Sequence, residues 1–385
     1  MDGERLTRFA TVLIDYALNV QAGDTVLISG PPLARPLLTA TYRRALERGA
    51  YPSLFVELPE TLELLLTLGS DEQLQTITPL ERIGPELADA WLRIGAAENT
   101  RALSHLDPAR QQRYAQARAA LHQQFLDRAA AGTLRWTSTL FPTHAYAQEA
   151  SMSLPVYEDF FARAALLDTP NPAERWRAVS AYQERLIAWL TPHREIRVLG
   201  PDTDLRLRVD GRRWINSDGH RNFPSGEVFT GPIETSVEGT IRFAYATIIR
   251  GQLVADVRLR FEHGRVVSAE ARQNQAALDA MLATDEGARY VGEFAFGTNR
   301  AIDRFTGIIL LDEKMGGTIH LALGSGYPDT GSQNRSAIHW DLICDLRHGG
   351  EVWVDDILLL KNGQFQLPDL GEDPWTLPPD APVAP

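Results

Sequence analysis

The pattern of hydrophobic residues changes near His193, and this change constrains the fold more than any other feature of the sequence. Before it, a short apolar run at residues 25–29 is followed by a helical pattern at 33–49, and such alternation is typical of a parallel sheet with crossover helices. After it, polar and apolar residues alternate, which is typical of antiparallel strands. We therefore predict an α/β N-terminal domain with a parallel sheet, followed by an α+β, largely antiparallel domain.

Periodicity and turn residues give the individual elements. The predicted helices cover residues 4–21, 33–49, 107–131, 174–190 and 275–289. The predicted strands cover residues 25–29, 51–58, 91–94, 194–199, 204–209, 240–247, 256–261, 290–296, 307–311, 318–323, 337–342, 351–354, 358–361 and 364–366. The pair Asn362-Gly363 predicts a two-residue hairpin between the last two strands.

The length of 385 residues exceeds one ordinary domain of roughly 150 residues. We predict an N-terminal domain at 1–192, a catalytic domain at 193–366 and a tail rich in proline and aspartate at 367–385. The tail receives no predicted structure, because its composition lacks the apolar residues that a packed core needs.

Charge and composition exclude some classes of function. The net charge of -12 repels phosphate backbones, so we expect no nucleic acid partner. No apolar run approaches the roughly 20 residues that span a bilayer, and the first ten residues lack the apolar region of a secretory signal. Cys344 is the single cysteine, which fits a reducing compartment. These observations predict a cytoplasmic protein without a membrane partner.

The segment SAIHWDLIC, residues 336–344, has the clearest chemical pattern in a chain without H-E-x-x-H, C-x-x-C, P-loop or G-x-S-x-G motifs. On a strand, Ile338, Trp340 and Leu342 share one face, and His339 and Asp341 share the other. A charge on such an apolar strand is costly unless it is paired or coordinated, so the pattern indicates either a metal site or a His–Asp hydrogen bond.

Three further residues are candidate metal ligands. His320 lies in the apolar run TIHLALG, where a core histidine bonded to a carbonyl is the alternative. Glu293 is the single charge in YVGEFAFG, where an ion pair with an arginine is the alternative. Glu227, in PSGEVFT, is by itself better explained as an exposed turn residue. Together with His339 and Asp341, they suffice for two divalent ions that share a carboxylate, and such mixed ligands suit zinc, cobalt or manganese more than calcium.

Long motifs give the chain a family resemblance over nearly its whole length. The segments NFPSGEVFTGP, TDEGARYVGEFAFGTN, DEKMGGTIHLALGSGYPDTG and SAIHWD resemble the thermophilic metallo-aminopeptidase family that includes aminopeptidase T. The resemblance ends near Gln366, and the segment between His320 and His339 is shorter than in some relatives, which affects the loop after Tyr327.

The resemblance implies a dinuclear exopeptidase that removes the N-terminal residue from peptides with a free N-terminus. It places five metal ligands on Glu227, Glu293, His320, His339 and Asp341. It also implies two divalent ions (zinc, cobalt, manganese or magnesium), a catalytic tyrosine at Tyr327 and a homodimer. On this scheme Glu293 bridges the ions and is the candidate base.

Two other functions remain open at this stage. A mononuclear ferrous ring-opening dioxygenase on a related scaffold needs only His320, His339 and Asp341. A non-catalytic small-molecule-binding protein needs no complete ligand set. We assign Trp340 and Phe229 to the core rather than to a substrate pocket.

Overall fold

The computed structural model describes residues 1–249 and 252–376, so the predicted tail beyond residue 376 lies outside the described residues. The chain divides into two compact units. Unit 1 comprises residues 1–174 and 219–224, and unit 2 comprises 175–218 and 225–385. Most of the predicted helix at 174–190 thus falls in unit 2, whereas the sequence-based boundary after residue 192 assigned it to the first domain. The division into folding domains stays a prediction.

The helices in chain order are α1 (Gly3–Thr11), α2 (Arg35–Glu47), α3 (Pro59–Leu68), α4 (Asp71–Gln75), α5 (Ile83–Leu87), α6 (Pro108–Ala117), α7 (Ala119–Ala130), α8 (His144–Glu149), α9 (Leu154–Ala164), α10 (Pro172–Leu190), α11 (Gln275–Leu282) and α12 (Ile309–Asp312). Among the described residues, no helix combines the length and hydropathy needed to cross a membrane.

The strands in chain order are β1 (Thr25–Gly30), β2 (Tyr51–Val56), β3 (Ala90–Gly95), β4 (Arg135–Leu140), β5 (Glu195–Gly200), β6 (Thr203–Arg208), β7 (Ile215–Ser217), β8 (Asn222–Phe223), β9 (Glu227–Thr230), β10 (Glu238–Phe243), β11 (Thr247–Ile249), β12 (Gln252–Glu262), β13 (Arg265–Gln273), β14 (Val291–Gly297), β15 (Thr318–Gly324), β16 (His339–Asp345), β17 (Glu351–Val354), β18 (Ile357–Lys361) and β19 (Gln364–Phe365).

Unit 1 contains the predicted parallel sheet. Its strand order is β2-β1-β3-β4-β8, and every neighbouring pair is parallel. The apolar run in β1 is buried from Val26 onwards, as expected for a strand between two others. Strand β4 was not predicted, because its sequence RWTSTL lacks an apolar run. The helix predicted at 107–131 is divided at Arg118 into α6 and α7.

Unit 2 contains the predicted antiparallel strands in two sheets. The larger sheet has nine strands in the order β11-β12-β10-β6-β5-β17-β18-β19, with β13 paired to β12. The predicted hairpin between β18 and β19 is present, and Asn362 and Gly363 both have positive φ, as a type I′ turn requires. The smaller sheet has five strands in the order β16-β15-β14-β9-β7.

The prediction of a strand at residues 307–311 is wrong, because the structure has the short helix α12 there. A short apolar run such as Ile308 to Leu311 fits either structure, and local hydrogen bonds decide between them. Asp312 at the end of α12 accepts hydrogen bonds from both the amide and the hydroxyl of Thr306, each at 2.7 Å, and these bonds close the turn.

The five-stranded sheet has two chemically different faces, which positions the candidate site. One face belongs to the main core of unit 2. Its core residues are Val228, Phe294, Phe296, Ile319, Leu321, Leu323, Trp340, Leu342 and Cys344. The predicted core position of Trp340 is therefore confirmed. Burial raises the pKa of the Cys344 thiol to about 12, so it is unsuited to be a nucleophile.

Candidate metal centre

The second face of the five-stranded sheet, which we call the polar face, brings together all five predicted ligands. Glu227 begins β9, Glu293 lies in β14, His320 lies in β15, and His339 and Asp341 lie in β16. These four strands are consecutive neighbours in the sheet, and side chains alternate between the two faces along each strand. The predicted alternation in SAIHWDLIC is thus present in the structure.

The register explains why the ligands converge. Ala322 pairs with Glu293 on one side and with Asp341 on the other, so the two carboxylates flank a methyl side chain. His320 pairs similarly with Ala295. Because directly paired residues have their side chains on the same face, short side chains between the ligands leave open space above the sheet.

The distances indicate two groups of ligand atoms that share Glu293. Its Oε1 lies 3.5 Å from His320 Nε2, and its Oε2 lies 3.3 Å from His339 Nε2. Glu227 Oε2 lies 3.7 Å from His320 Nε2, and Asp341 Oδ1 lies 3.4 Å from His339 Nε2. Two ligands of one tetrahedral ion, each bound at about 2.1 Å, lie about 3.4 Å apart. The observed separations match this value.

Buried oxygens without partners support the same conclusion. Glu227 Oε2 and Asp341 Oδ1 are buried and have no hydrogen-bond partner in the structure. A buried carboxylate oxygen without a partner is costly, and a divalent cation compensates that cost. The arrangement of donors and these two oxygens therefore fits metal ions held by the groups Glu227–Glu293–His320 and Glu293–His339–Asp341.

The electrostatics of the site favour cations. Burial alone lowers the pKa of a histidine, but Glu293, Glu227 and Asp341 outweigh it and raise the pKa of His320 to about 9. The same kind of interaction raises the pKa of His339 to about 12. Burial opposes ionisation of Glu293, yet its bonds to both histidines lower its pKa to about 2, so it stays ionised, as a bridging ligand must.

Residues outside the ligand set orient His339. Its Nδ1 lies 2.7 Å from the carbonyl oxygen of Ser325, which fixes the ring with Nε2 directed at Glu293 and Asp341. The ring of Tyr327 packs edge-on against His339, with centroids 5.2 Å apart. Tyr327 is 47% exposed, so it lies at the solvent side of the site.

The prediction that Phe229 belongs to the core is wrong. Phe229 is two residues after Glu227 and pairs with Ala295, so it lies on the polar face. Its ring packs against Tyr327, with centroids 5.4 Å apart. Strand alternation relative to Glu227 was the signal that could have placed it.

Two further residues of the site were missed by the sequence analysis. Glu313 forms a third group of potential ligands with His320 and Asp341. Lys314 is 1% exposed, and its Nζ donates a hydrogen bond to Glu227 and lies 2.6 Å from Glu313. Only two of the 38 basic residues in this sequence are lysines, Lys314 and Lys361. The rarity of lysine in a chain whose other basic residues are arginines is the sequence feature that could have drawn attention to Lys314.

Lys314 neutralises part of the negative charge at the site. Burial lowers its pKa, but the charges of Glu227 and Glu313 outweigh this effect and raise it, so the ammonium group stays charged. It occupies one side of Glu227, whose other oxygen is without a partner. Lys314 therefore orients Glu227 with its free oxygen available.

We predict that Lys314→Met destabilises the metal-free protein, because Glu227 and Glu313 lose their buried partner. Breaking a buried ion pair costs about 3–5 kcal/mol. The melting temperature of the metal-free variant should fall, and saturating zinc should raise it more than in the wild type. The matched control is Lys361→Met, which removes a 52% exposed lysine paired with Glu351 and should change little. Equal melting temperatures of metal-free wild type and Lys314→Met would contradict this role.

Comparisons with known proteins find relatives over most of the chain. Aminopeptidase 2 from Geobacillus stearothermophilus is 28% identical over 353 residues, covering 84% of each chain. Aminopeptidase T from Thermus aquaticus is 27% identical over 419 residues, covering 97% of this chain and 99% of that protein.

Two solved structures show the same fold at lower identity. Wild-type AmpT from Thermus thermophilus has a TM-score of 0.82 at 23% identity and covers 94% of this chain and 99% of its own. The 2,5-dihydroxypyridine dioxygenase from Pseudomonas putida KT2440 is more distant, with a TM-score of 0.57 at 15% identity, covering 96% of this chain and 98% of its own.

The family assignment depends on a match over nearly the whole chain. The profile of the thermophilic metalloprotease (M29) family matches residues 2–365, which include every predicted ligand and Tyr327. This protein belongs to the thermophilic metalloprotease (M29) family.

Proposed function

We propose that this protein is a metal-dependent aminopeptidase that hydrolyses the N-terminal residue from peptides. The family match and the relatives named aminopeptidase support the reaction class. The observation that carries the proposal is the position of Glu293. Its two oxygens face two different histidines, and each resulting group is completed by another carboxylate.

The cofactor of this proposal is a pair of divalent ions, zinc, cobalt, manganese or magnesium. Glu227, Glu293 and His320 would hold one ion, and Glu293, His339 and Asp341 the other. When bound, such ions lower the pKa of a water towards about 7 and polarise the scissile carbonyl. Glu313 is a candidate for an additional ligand next to His320 and Asp341.

The residues of this chain would supply the remaining chemistry. Glu293 is also the candidate acceptor for the proton of the attacking water, and it could take that proton only through an oxygen that does not hold an ion, since its two oxygens face the two groups. Desolvation and the charge of Glu293 raise the pKa of the Tyr327 phenol, which therefore stays protonated and able to donate a hydrogen bond. From its place beside His339, we propose that it donates to the oxyanion of the tetrahedral intermediate.

The two other functions left open by the sequence have less support. A ferrous dioxygenase needs two histidines and one carboxylate, whereas the polar face gathers Glu227, Glu293 and Asp341 around its histidines. The likeness to the dioxygenase concerns the fold alone. A non-catalytic binding protein does not require a complete ligand set. A homodimer and a cytoplasmic location stay predictions.

The first prediction concerns the ligands. His339→Ala and Asp341→Ala should abolish hydrolysis and reduce bound metal by about one ion per chain, because each removes a member of the second group. Metal content is measured by inductively coupled plasma mass spectrometry and folding by circular dichroism. His263→Ala, which alters a 93% exposed side chain, is the control. Full metal content with normal turnover in either ligand variant would refute the assignment.

The second prediction concerns the substrate. The enzyme should hydrolyse leucyl-peptides with a free N-terminus and spare the same peptides after N-acetylation, because the carboxylate-rich site attracts an ammonium group and acetylation removes its charge. Products are identified by mass spectrometry. If N-acetylated peptides are cleaved as fast as free ones, the proposed exopeptidase activity is wrong.

The third prediction concerns Tyr327. Tyr327→Phe removes the hydroxyl and keeps the ring that packs against His339 and Phe229. Since the proposed bond forms only with the oxyanion, kcat should fall by about 100- to 1000-fold with little change in KM or metal content. Tyr51→Phe, on the exposed strand β2, is the control. Normal kcat in Tyr327→Phe would contradict the proposed bond to the oxyanion and mean that the role of Tyr327 is structural.

A further inference from the structure

Residues 367–376 pack onto unit 2 after the last strand, and we call them the C-terminal segment. Their composition predicts no packed structure, and they follow residues 2–365, which match the family. Leu370 is nevertheless 4% exposed and belongs to the main core of unit 2. Its carbonyl oxygen accepts a hydrogen bond of 2.7 Å from the guanidinium of Arg185, which lies in α10. The segment is therefore attached to the body of this unit.

A second attachment fixes the turn that ends the described part of the segment. Asp373 accepts a hydrogen bond of 2.5 Å from Nε of Arg300, and the two side chains are only 18% and 21% exposed. The other oxygen of Asp373 accepts from the amide of Trp375 at 3.0 Å. Arg300 thus determines, through Asp373, where Trp375 lies.

The ring of Trp375 packs beside the residue that precedes the ligand Glu227. On one side it meets the fully buried Trp176 of α10 edge-on, with centroids 5.3 Å apart. On the other side it covers Gly226, where an added methyl group would lie 3.1 Å from Cζ2 of Trp375 and 2.8 Å from Cβ of Asn299. Gly226 has a φ of +121°, which favours glycine. The backbone that leads into Glu227 is therefore packed against Trp375 and Asn299.

Asn299 connects this contact with the ion pair of Glu227. Its side-chain amide donates to the carbonyl oxygen of Ser225 at 2.9 Å, and its main-chain amide donates to the carbonyl oxygen of Lys314 at 2.9 Å. Lys314 in turn donates to the carboxylate of Glu227. The C-terminal segment therefore packs on the residues that hold both members of this buried pair.

We propose that the C-terminal segment holds Glu227 in position for metal binding, with Trp375 as a positioning residue. The inference rests on the proposed function, because it requires the two-ion centre. The oxygen of Glu227 without a partner lies 3.7 Å from Nε2 of His320. A ligand that is already fixed loses less conformational freedom when the ion binds, so packing against Trp375 increases the affinity for that ion.

The two ions should depend on the segment unequally. Glu227 begins β9, whereas His339 and Asp341 lie in β16, and β15 and β14 separate these two strands in the sheet. The ion held by Glu227 with Glu293 and His320 should therefore bind more weakly when Trp375 is removed. The ion held by the ligands of β16 should keep its affinity.

The test is a titration of the metal-free full chain with zinc, followed by isothermal titration calorimetry. The wild type should bind two ions. Trp375→Ala should weaken one of the two binding steps by about 10- to 100-fold, the usual effect of losing support behind a metal ligand. It should be the same step that Glu227→Ala removes. Asp373→Asn, which keeps the shape of the side chain and removes its charge beside Arg300, should weaken that step by a smaller factor.

The matched control is Leu359→Ala, since Leu359 is fully buried in β18 within the same core. It should lower the melting temperature of the metal-free protein and keep both zinc affinities. Unchanged zinc affinity in Trp375→Ala and Asp373→Asn would overturn this inference and leave the two-ion centre standing. Equal weakening of both steps, or the same weakening in Leu359→Ala, would also overturn it, because a general loss of stability would then explain the effect. A wild type that binds fewer than two zinc ions would overturn the two-ion centre and this inference with it.

Discussion

The interaction on which the site depends is the grouping of buried carboxylates around two histidines on one face of a small sheet. Glu227, Glu293 and Asp341 approach His320 and His339 within 3.3–3.9 Å. The ligand atoms of each group lie within 4.8 Å of one another. Carboxylates this close repel one another unless positive charge lies between them. The protein supplies part of that charge through Lys314 and the histidines, and we infer that divalent ions supply the rest.

The apolar packing of the opposite face of the sheet offsets the cost of gathering these charges. Phe294, Leu321 and Leu342 are buried in the main core of unit 2 and hold the strands in register. A slip of one residue in β15 or β16 would move the ligands into that core and the apolar residues to the polar face. Ligand geometry and core packing thus depend on the same strand register. The two requirements together specify that register strongly.

The sequence predicted those features that follow from local pattern. Alternation alone placed His339 and Asp341 on one face and Trp340 on the other. A continuous apolar run predicted β1, and the turn pair Asn362-Gly363 predicted the last hairpin. The pairing of β9 with β14 is a long-range contact that no local pattern encodes. For that reason the sequence context gave Glu227 and Glu293 only as candidate ligands, and the family resemblance implied that both belong to the ligand set.

The residues that the sequence analysis missed have roles that depend on contacts between segments remote in the sequence. Glu313 and Lys314 follow a short helix that the pattern predicted as a strand, so their side chains could not be placed. Their role depends on burial beside Glu227, which is remote in sequence. Phe229 was assigned to the core from hydrophobicity alone, although its spacing from Glu227 places it on the polar face.

The most direct test of the central claim is a crystal structure of the protein soaked with manganese or zinc, with anomalous scattering measured at the metal edge. Two anomalous peaks should lie on the polar face, one bounded by Glu227 and His320, the other by His339 and Asp341, with Glu293 between them. A single peak held by His320, His339 and Asp341, without Glu227 or Glu293, would contradict the shared-carboxylate centre and favour a mononuclear site.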